Sequence, residues 1–174
     1  MHSQLADIGI RPQDAGDFLA SVLKNTSKPL TRVLEYLSGE QLGIKVLADG
    51  ERPLTDAESY RLDAGALHRC RWRHGLLVAA DGTVAASVSL VWLPPRIPFS
   101  ACRELDAGAE PAGLILGRLG MRREDRRAMA TCLMEEITGQ DSAVRSTATL
   151  VVDGVAVGIA DETVTRAFAE SLAG

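Results

Sequence analysis

No excess of positive charge marks this sequence. Its 19 basic residues stand against 23 acidic ones, a net charge of −4, which is no footprint for a nucleic-acid polyanion or an anionic membrane. Whatever the arginines do, they do locally. Long apolar runs are absent as well: none approaches the ~20 residues of a membrane span. The start, MHSQLADIGIRPQDAGDF, lacks the charged-then-apolar profile of a signal peptide, so a cytoplasmic protein is expected. Cysteine is sparse and odd in number. Cys70, Cys102 and Cys132 show no C-x-x-C spacing and sit among apolar neighbours, which predicts buried free thiols in a reducing compartment. His2, His68 and His74 have no metal-ligand spacing with Cys or carboxylates, and no metal is expected. The G-x-G-x-x-G, Walker A and G-x-S-x-G patterns are all missing, which removes support for nucleotide binding and for a serine-hydrolase elbow.

What is present suits one domain. A chain of 174 residues, 46% of them hydrophobic, can bury a substantial core, and no composition change divides it. Residues 1–27 read as an N-terminal helical extension, with Pro12 opening a helix whose stripe is Phe18, Leu19, Val22 and Leu23. A short helix or strand follows at Leu30–Leu37, then a strand to Leu47, then a polar, turn-rich stretch, ADGERPLTDAESYRLDAG, that reads as a linker. Asp81-Gly82 lies between the apolar runs Leu67–Ala79 and Val84–Leu93, and Asp153-Gly154 between STATLVV and VAVGIADE. Each is a hairpin signal. PFSACREL and PAGLILGRLG read as helices opened by proline, MRREDRRAMATCLMEEI as a long strand partnering the two hairpins, and TVTRAFAESL as a closing helix. The fold class expected is α+β: an antiparallel sheet with helices mainly on one face.

HRCRWRHG, residues 68–75, poses the main chemical question. Alternation along a strand puts Arg69, Arg71 and Arg73 on one side and Cys70, Trp72 and His74 on the other. An unpaired buried guanidinium costs several kcal/mol against a total stability of about 5–15 kcal/mol. That side therefore meets solvent, with Cys70 and Trp72 packed on the core, or it meets an anion, with at least Arg73 gripping a carboxylate by its planar fork. Glu162 ends an otherwise apolar strand. It reads either as part of the N-cap region of the last helix or as a pocket carboxylate placed for general acid/base work. RREDRRAM, mixed in sign, reads as a solvated face.

Taken in order, LTRVLEYL, RHGLLVAADGTVAASVSLVWLP, EPAGLILG and DGVAVGIADE resemble the successive motifs of the chorismate pyruvate-lyase family, especially its actinobacterial branch, over roughly residues 28 to 165. The resemblance implies a six-stranded antiparallel sheet, a flap-covered pocket, and conversion of chorismate to 4-hydroxybenzoate and pyruvate with no metal or organic cofactor. It places the ring-carboxylate arginine at Arg73 and the glutamate at Glu162, with backbone contacts near Leu30 and Ala112; Arg71 or Arg123 would hold the second carboxylate. Departures from the pattern are Ala112 in place of leucine, Arg71 in place of an apolar or aromatic residue, and a hairpin, LLVAADG, one residue longer; separately, a slip in register would make Asp161 the rival of Glu162. The expected partner is a small-molecule carboxylate, with no nucleic acid and no membrane; the oligomeric state is open. Two alternatives stand beside the lyase: the same fold acting on a different cyclic carboxylic acid, and a non-catalytic small-molecule-binding module like the ligand-sensing domains of GntR-type regulators. Those regulators carry an N-terminal winged helix-turn-helix, and only ~30 residues precede Leu30, so DNA binding would be expected of a separate partner chain.

Overall fold

The computed structural model describes residues 9–134 and 139–173. Two helices come first, α1 (Ala15–Lys24) and α2 (Leu30–Ser38), then strand β1 (Gly43–Pro53), the short helix α3 (Asp56–Arg61) and strands β2 (Arg69–Val78) and β3 (Val84–Trp92). Helices α4 (Phe99–Ala107) and α5 (Ala112–Gly117) precede strands β4 (Arg122–Ala130), β5 (Ser142–Val152) and β6 (Val155–Thr165), and α6 (Arg166–Ser171) closes the chain. The six strands form one antiparallel sheet in the order β1-β2-β3-β6-β5-β4.

Both Asp-Gly signals make hairpins. Asp153 and Gly154 have φ of 50° and 78°, the two positive values that a tight turn between twisted strands demands. The hairpins join directly through β3 and β6, while β4 lies at the sheet edge against β5. Within the expected long strand over 121–137, residues 122–130 are strand, but they do not bridge the hairpins; residues 135–138 lie outside the described residues. Prolines 29, 98 and 111 immediately precede α2, α4 and α5, and Leu30–Leu37 is resolved as helix.

The supposed linker is ordered structure. β1 continues to Pro53, and α3 begins in a capping box in which Thr55 and Glu58 exchange side-chain and backbone hydrogen bonds. The polar letters misled because β1 is an edge strand facing solvent for most of its length, and such a strand has no need of apolar alternation. At the other end, β6 runs past Glu162 to Thr165, whose hydroxyl caps α6 by accepting from Phe168 N at 3.4 Å. Glu162 is therefore not in the helix cap. The expectation for the cysteines holds in part: Cys70 is buried, Cys102 half-buried and Cys132 exposed, and all three are free.

Helices gather mainly on one face of the sheet, here called inner. Two apolar clusters occupy it. One joins α1, α2 and α6 to Leu77, Ala86, Val144 and Val164; the other joins α4 and α5 to Leu90, Trp92, Leu150 and Ala160. A smaller cluster of Leu62, Ala64, Cys70 and Leu93 seats the α3 segment on the outer face.

Arg52 locks α3 to β1 by donating to both oxygens of Glu58, at 2.5 and 2.7 Å. Chiefly through those bonds, Arg52 brings the Glu58 carboxyl down to about 2 from its ordinary 4.5. The folded pKa lies below the unfolded one, so the stability it confers is complete above pH 4.5 and is lost as pH falls through about 2. Wild type should exceed Glu58→Gln in urea midpoint at pH 7, and the gap should close on acidification across that window. A gap that does not change with pH would contradict this account.

Candidate functional site

Between the two inner-face clusters the sheet turns polar. Glu162 stands on β6 between Ala160 of one cluster and Val164 of the other, opposite Val88 on β3 and Ser146 on β5. It is 3% exposed. Arg123 of β4 grips it with both prongs, Nη1 donating to Oε2 at 2.5 Å and Nη2 to Oε1 at 2.7 Å. A second guanidinium, Arg126, brings Nη2 to 3.5 Å from the same Oε2.

Arg123 and Arg126 are three apart, a spacing that strict alternation would send to opposite faces. A bulge reconciles them: the β4–β5 register shifts between Glu124 and Arg127, and Asp125 adopts φ 48°. The cluster expected to be a solvated face therefore sends two of its arginines inward. Arg126 also donates to Ser146 Oγ (3.1 Å) and to the carbonyls of Thr26 (3.3 Å) and Lys28 (3.0 Å), tying the α1–α2 connection to the sheet. Burial, reinforced by repulsion from Arg123 and opposed by Glu162, lowers its pKa to about 10, so it remains a cation at neutral pH.

The arginine row of β2 is resolved by a gradient. Side-chain exposure falls from 64% at Arg69 to 26% at Arg71 and 6% at Arg73. β1 lies across from them with its own carboxylates, Glu51 opposite Arg71 and Asp49 opposite Arg73. Arg71 pairs with Asp106 at 2.9 Å and Glu51 at 3.5 Å, outside the cavity. Arg73 donates to Asp49 Oδ2 at 2.9 Å and to the Asp106 carbonyl at 3.3 Å, with its Cζ 5.9 Å from the ring centre of Trp92. Gly108, at φ +64°, leaves room for it, since a Cβ there would sit 3.3 Å from Arg73 Nη1.

Arg73, Arg123 and Glu162 line one internal cavity of about 30 Å³, closed by Thr31 of α2 and by Glu110 to Gly113. That volume holds one water and no ring. Of the residues singled out from sequence, Arg73, Ala112, Arg123 and Glu162 meet here. Leu30 is fully buried in the neighbouring cluster, and Thr31 takes its place at the wall. Asp161 faces the other way and pairs with Arg145 at 3.0 Å. Sequence reasoning missed Asp49, Arg126 and Thr31. Asp49 lay in the supposed linker, and nothing in the letters around Arg126 announces a bulge.

Around the cavity, among the described residues, Arg73, Arg123 and Arg126 meet Asp49 and Glu162, while the lining Glu110 shares Arg118 with Glu104, so four cations meet four carboxylates. The Nε of Arg73, the Nε of Arg123 and Nη2 of Arg126 are buried without a hydrogen bond. No group of three His, Cys, Asp or Glu among the described residues is arranged to hold a metal. No helix among them is long and apolar enough to cross a membrane.

No family model and no curated protein matches the chain. Solved structures match its fold. PhnF from Mycobacterium smegmatis superposes with a TM-score of 0.56 at 12% identity, covering 79% of this chain and 63% of that one. The effector domain of PhnF gives 0.56 at 14%, covering 80% and 89%. A candidate transcriptional regulator from Streptomyces coelicolor gives 0.51 at 18%, covering 72% and 87%. The chain thus spans less than two thirds of the longer PhnF chain and most of its effector domain. At these identities the likeness establishes the fold, which is the chorismate-lyase-like one.

Removing the shared carboxylate leaves two buried cations facing each other. Glu162→Gln should lower the unfolding free energy by about 3–5 kcal/mol. Adding Arg126→Met should cost less than the sum of the two single losses, by roughly 1 kcal/mol or more. Urea unfolding of the four proteins in this cycle checks it, and strictly additive losses would show that the groups do not interact.

Proposed function

We propose that this chain is a ligand-binding module for a small organic monocarboxylate, received in the cavity between Arg73 and Arg123. The observation that carries this reading is a pair of buried, unmatched donors on the cavity's own lining residues: Nε of Arg73 and Nε of Arg123 have no hydrogen-bond acceptor. A buried donor left unmatched is costly unless something arrives to accept from it.

An entering carboxylate takes the fork of Arg123, and Glu162 turns to Arg126, whose Nη2 is already 3.5 Å away. Every carboxylate keeps a cation throughout the exchange, and the ligand's oxygens supply acceptors for the unmatched donors. Arg73 orients the remainder of the ligand. The 110–113 wall has to draw back, because a cavity of about 30 Å³ admits no ring as it stands. Effector-domain and regulator relatives support binding over turnover. In a module of that type, any contact with nucleic acid would belong to a different unit.

A lyase is the second reading, favoured by one observation: Arg73 and Glu162, paired by the family resemblance, line the same cavity. In it Arg73 would anchor the ring carboxylate while Glu162 accepts the C4 proton as the C3–O bond of the enolpyruvyl ether breaks. Against it, both oxygens of Glu162 are occupied by Arg123.

Calorimetric titration with 4-hydroxybenzoate and its uncharged analogue 4-hydroxybenzamide tests the binding reading. The acid should bind at least about tenfold more tightly, since charge-assisted contacts are the stronger ones, and Arg123→Met should erase the difference. Equal affinity for acid and amide would overturn it. Pyruvate release from chorismate, abolished by Arg73→Met, would establish the second reading in its place.

A further inference from the structure

The outer face of the sheet carries a second concave site that the cavity chemistry does not use. Two successive rows of side chains cross it. His74, Ser89 and Asp161 stand in register on β2, β3 and β6; Ser87, Thr163 and Arg145 stand in register on β3, β6 and β5. They floor a trough of about 380 Å³. Its wall is formed by Thr131, Leu133 and Met134, the last two 71% and 69% exposed. That wall is anchored. Ser142 donates from both its amide and its hydroxyl to the Leu133 carbonyl, and Arg166 Nη2 donates to the carbonyls of Thr131 (3.0 Å) and Ser142 (3.2 Å).

A merely solvated sheet face would leave these groups in water. Here Ser87 is 5% exposed, and His74 Nε2 is shut off from solvent and has no partner. His74 Nδ1 lies 2.7 Å from Ser89 Oγ. If Nδ1 carries the proton, Nε2 is an unmatched acceptor; if it does not, Nε2 is an unmatched donor. That nitrogen has no accessible surface, so the groups a ligand meets here are the hydroxyls of Ser87, Ser89 and Thr163, which donate or accept alike. The charges in the trough also cancel, because Arg145 pairs with Asp161 at 3.0 and 3.3 Å. An anion would have to face Asp161, and a cation Arg145.

We propose that this trough is a second ligand site, taking an uncharged, polyhydroxylated ring molecule of monosaccharide size. The volume lies in the range of small-molecule sites. Ser87, Ser89 and Thr163 can each donate or accept. Asp161 accepts from adjacent ring hydroxyls, and Leu133 and Met134 cover the C–H face of the ring.

Titration of the isotope-labelled full chain with myo-inositol, D-glucose and, separately, inorganic phosphate tests this by NMR. At least one polyol should shift the His74 Nε2 resonance and the amides of Ser87, Ser89 and Thr163 saturably. Asp161→Asn and Thr163→Val, each verified as folded by an unchanged amide spectrum elsewhere, should each weaken that binding by about tenfold. Four outcomes would overturn the assignment: no saturable shift with either polyol, saturation by phosphate alone, shifts confined to Arg73, Arg123 and Glu162, or affinity unchanged in both variants. The inner cavity has its own test in the titration with acid and amide, so the two sites stand or fall separately.

Discussion

A two-pronged ion pair, Arg123 on Glu162, sits where an ordinary domain would place leucines. Both side chains are below 5% exposed, and apolar clusters flank them on either side along the sheet. A pair so buried contributes little net stability compared with apolar residues of the same volume, yet breaking it strands a charge in the core. Its position therefore divides the inner face into two cores with a polar band between them. The bulge at Asp125, the tie from Arg126 to Thr26 and Lys28, and the close approach of α5 all follow that band. Gly113 shows how tight the closure is: a Cβ there would fall 2.8 Å from Pro29.

The same band explains why fold and function separate in this architecture. In this chain a six-stranded sheet with helices mainly on one face holds a buried slot lined by arginines and carboxylates, and such a slot serves a sensor as well as a catalyst; fold alone does not choose. What distinguishes the two is whether the carboxylate in the slot is free to move a proton or is committed to a cation. Glu162 is committed. That commitment is the physical ground of the proposed binding reading.

Strand alternation gives each strand two independent surfaces, and this chain uses both. On β6, Glu162 belongs to the inner band and its neighbours Asp161 and Thr163 to the outer trough. On β2, Arg73 lies inside and His74 outside. Adjacent residues thus serve different chemistry because successive side chains point to opposite faces, and a shift of one residue in register would exchange them.

Much of the frame was legible in the letters. Asp-Gly turns between apolar runs specified both hairpins and with them an antiparallel sheet, and Pro98 and Pro111 marked the starts of α4 and α5, because these signals act over a few residues and depend on local backbone sterics. Arg73 and Glu162 were legible as candidates too, the first as the last of a row of three cations and the second as a charge ending an apolar strand. Tertiary structure alone decided which arginine of the row turns inward, that Glu162 is held by Arg123 and Arg126 and not by a helix terminus, and that Asp49 belongs beside Arg73. Those outcomes rest on a bulge and on strand pairings between residues tens of positions apart, and the local pattern at either partner carries no information about the other.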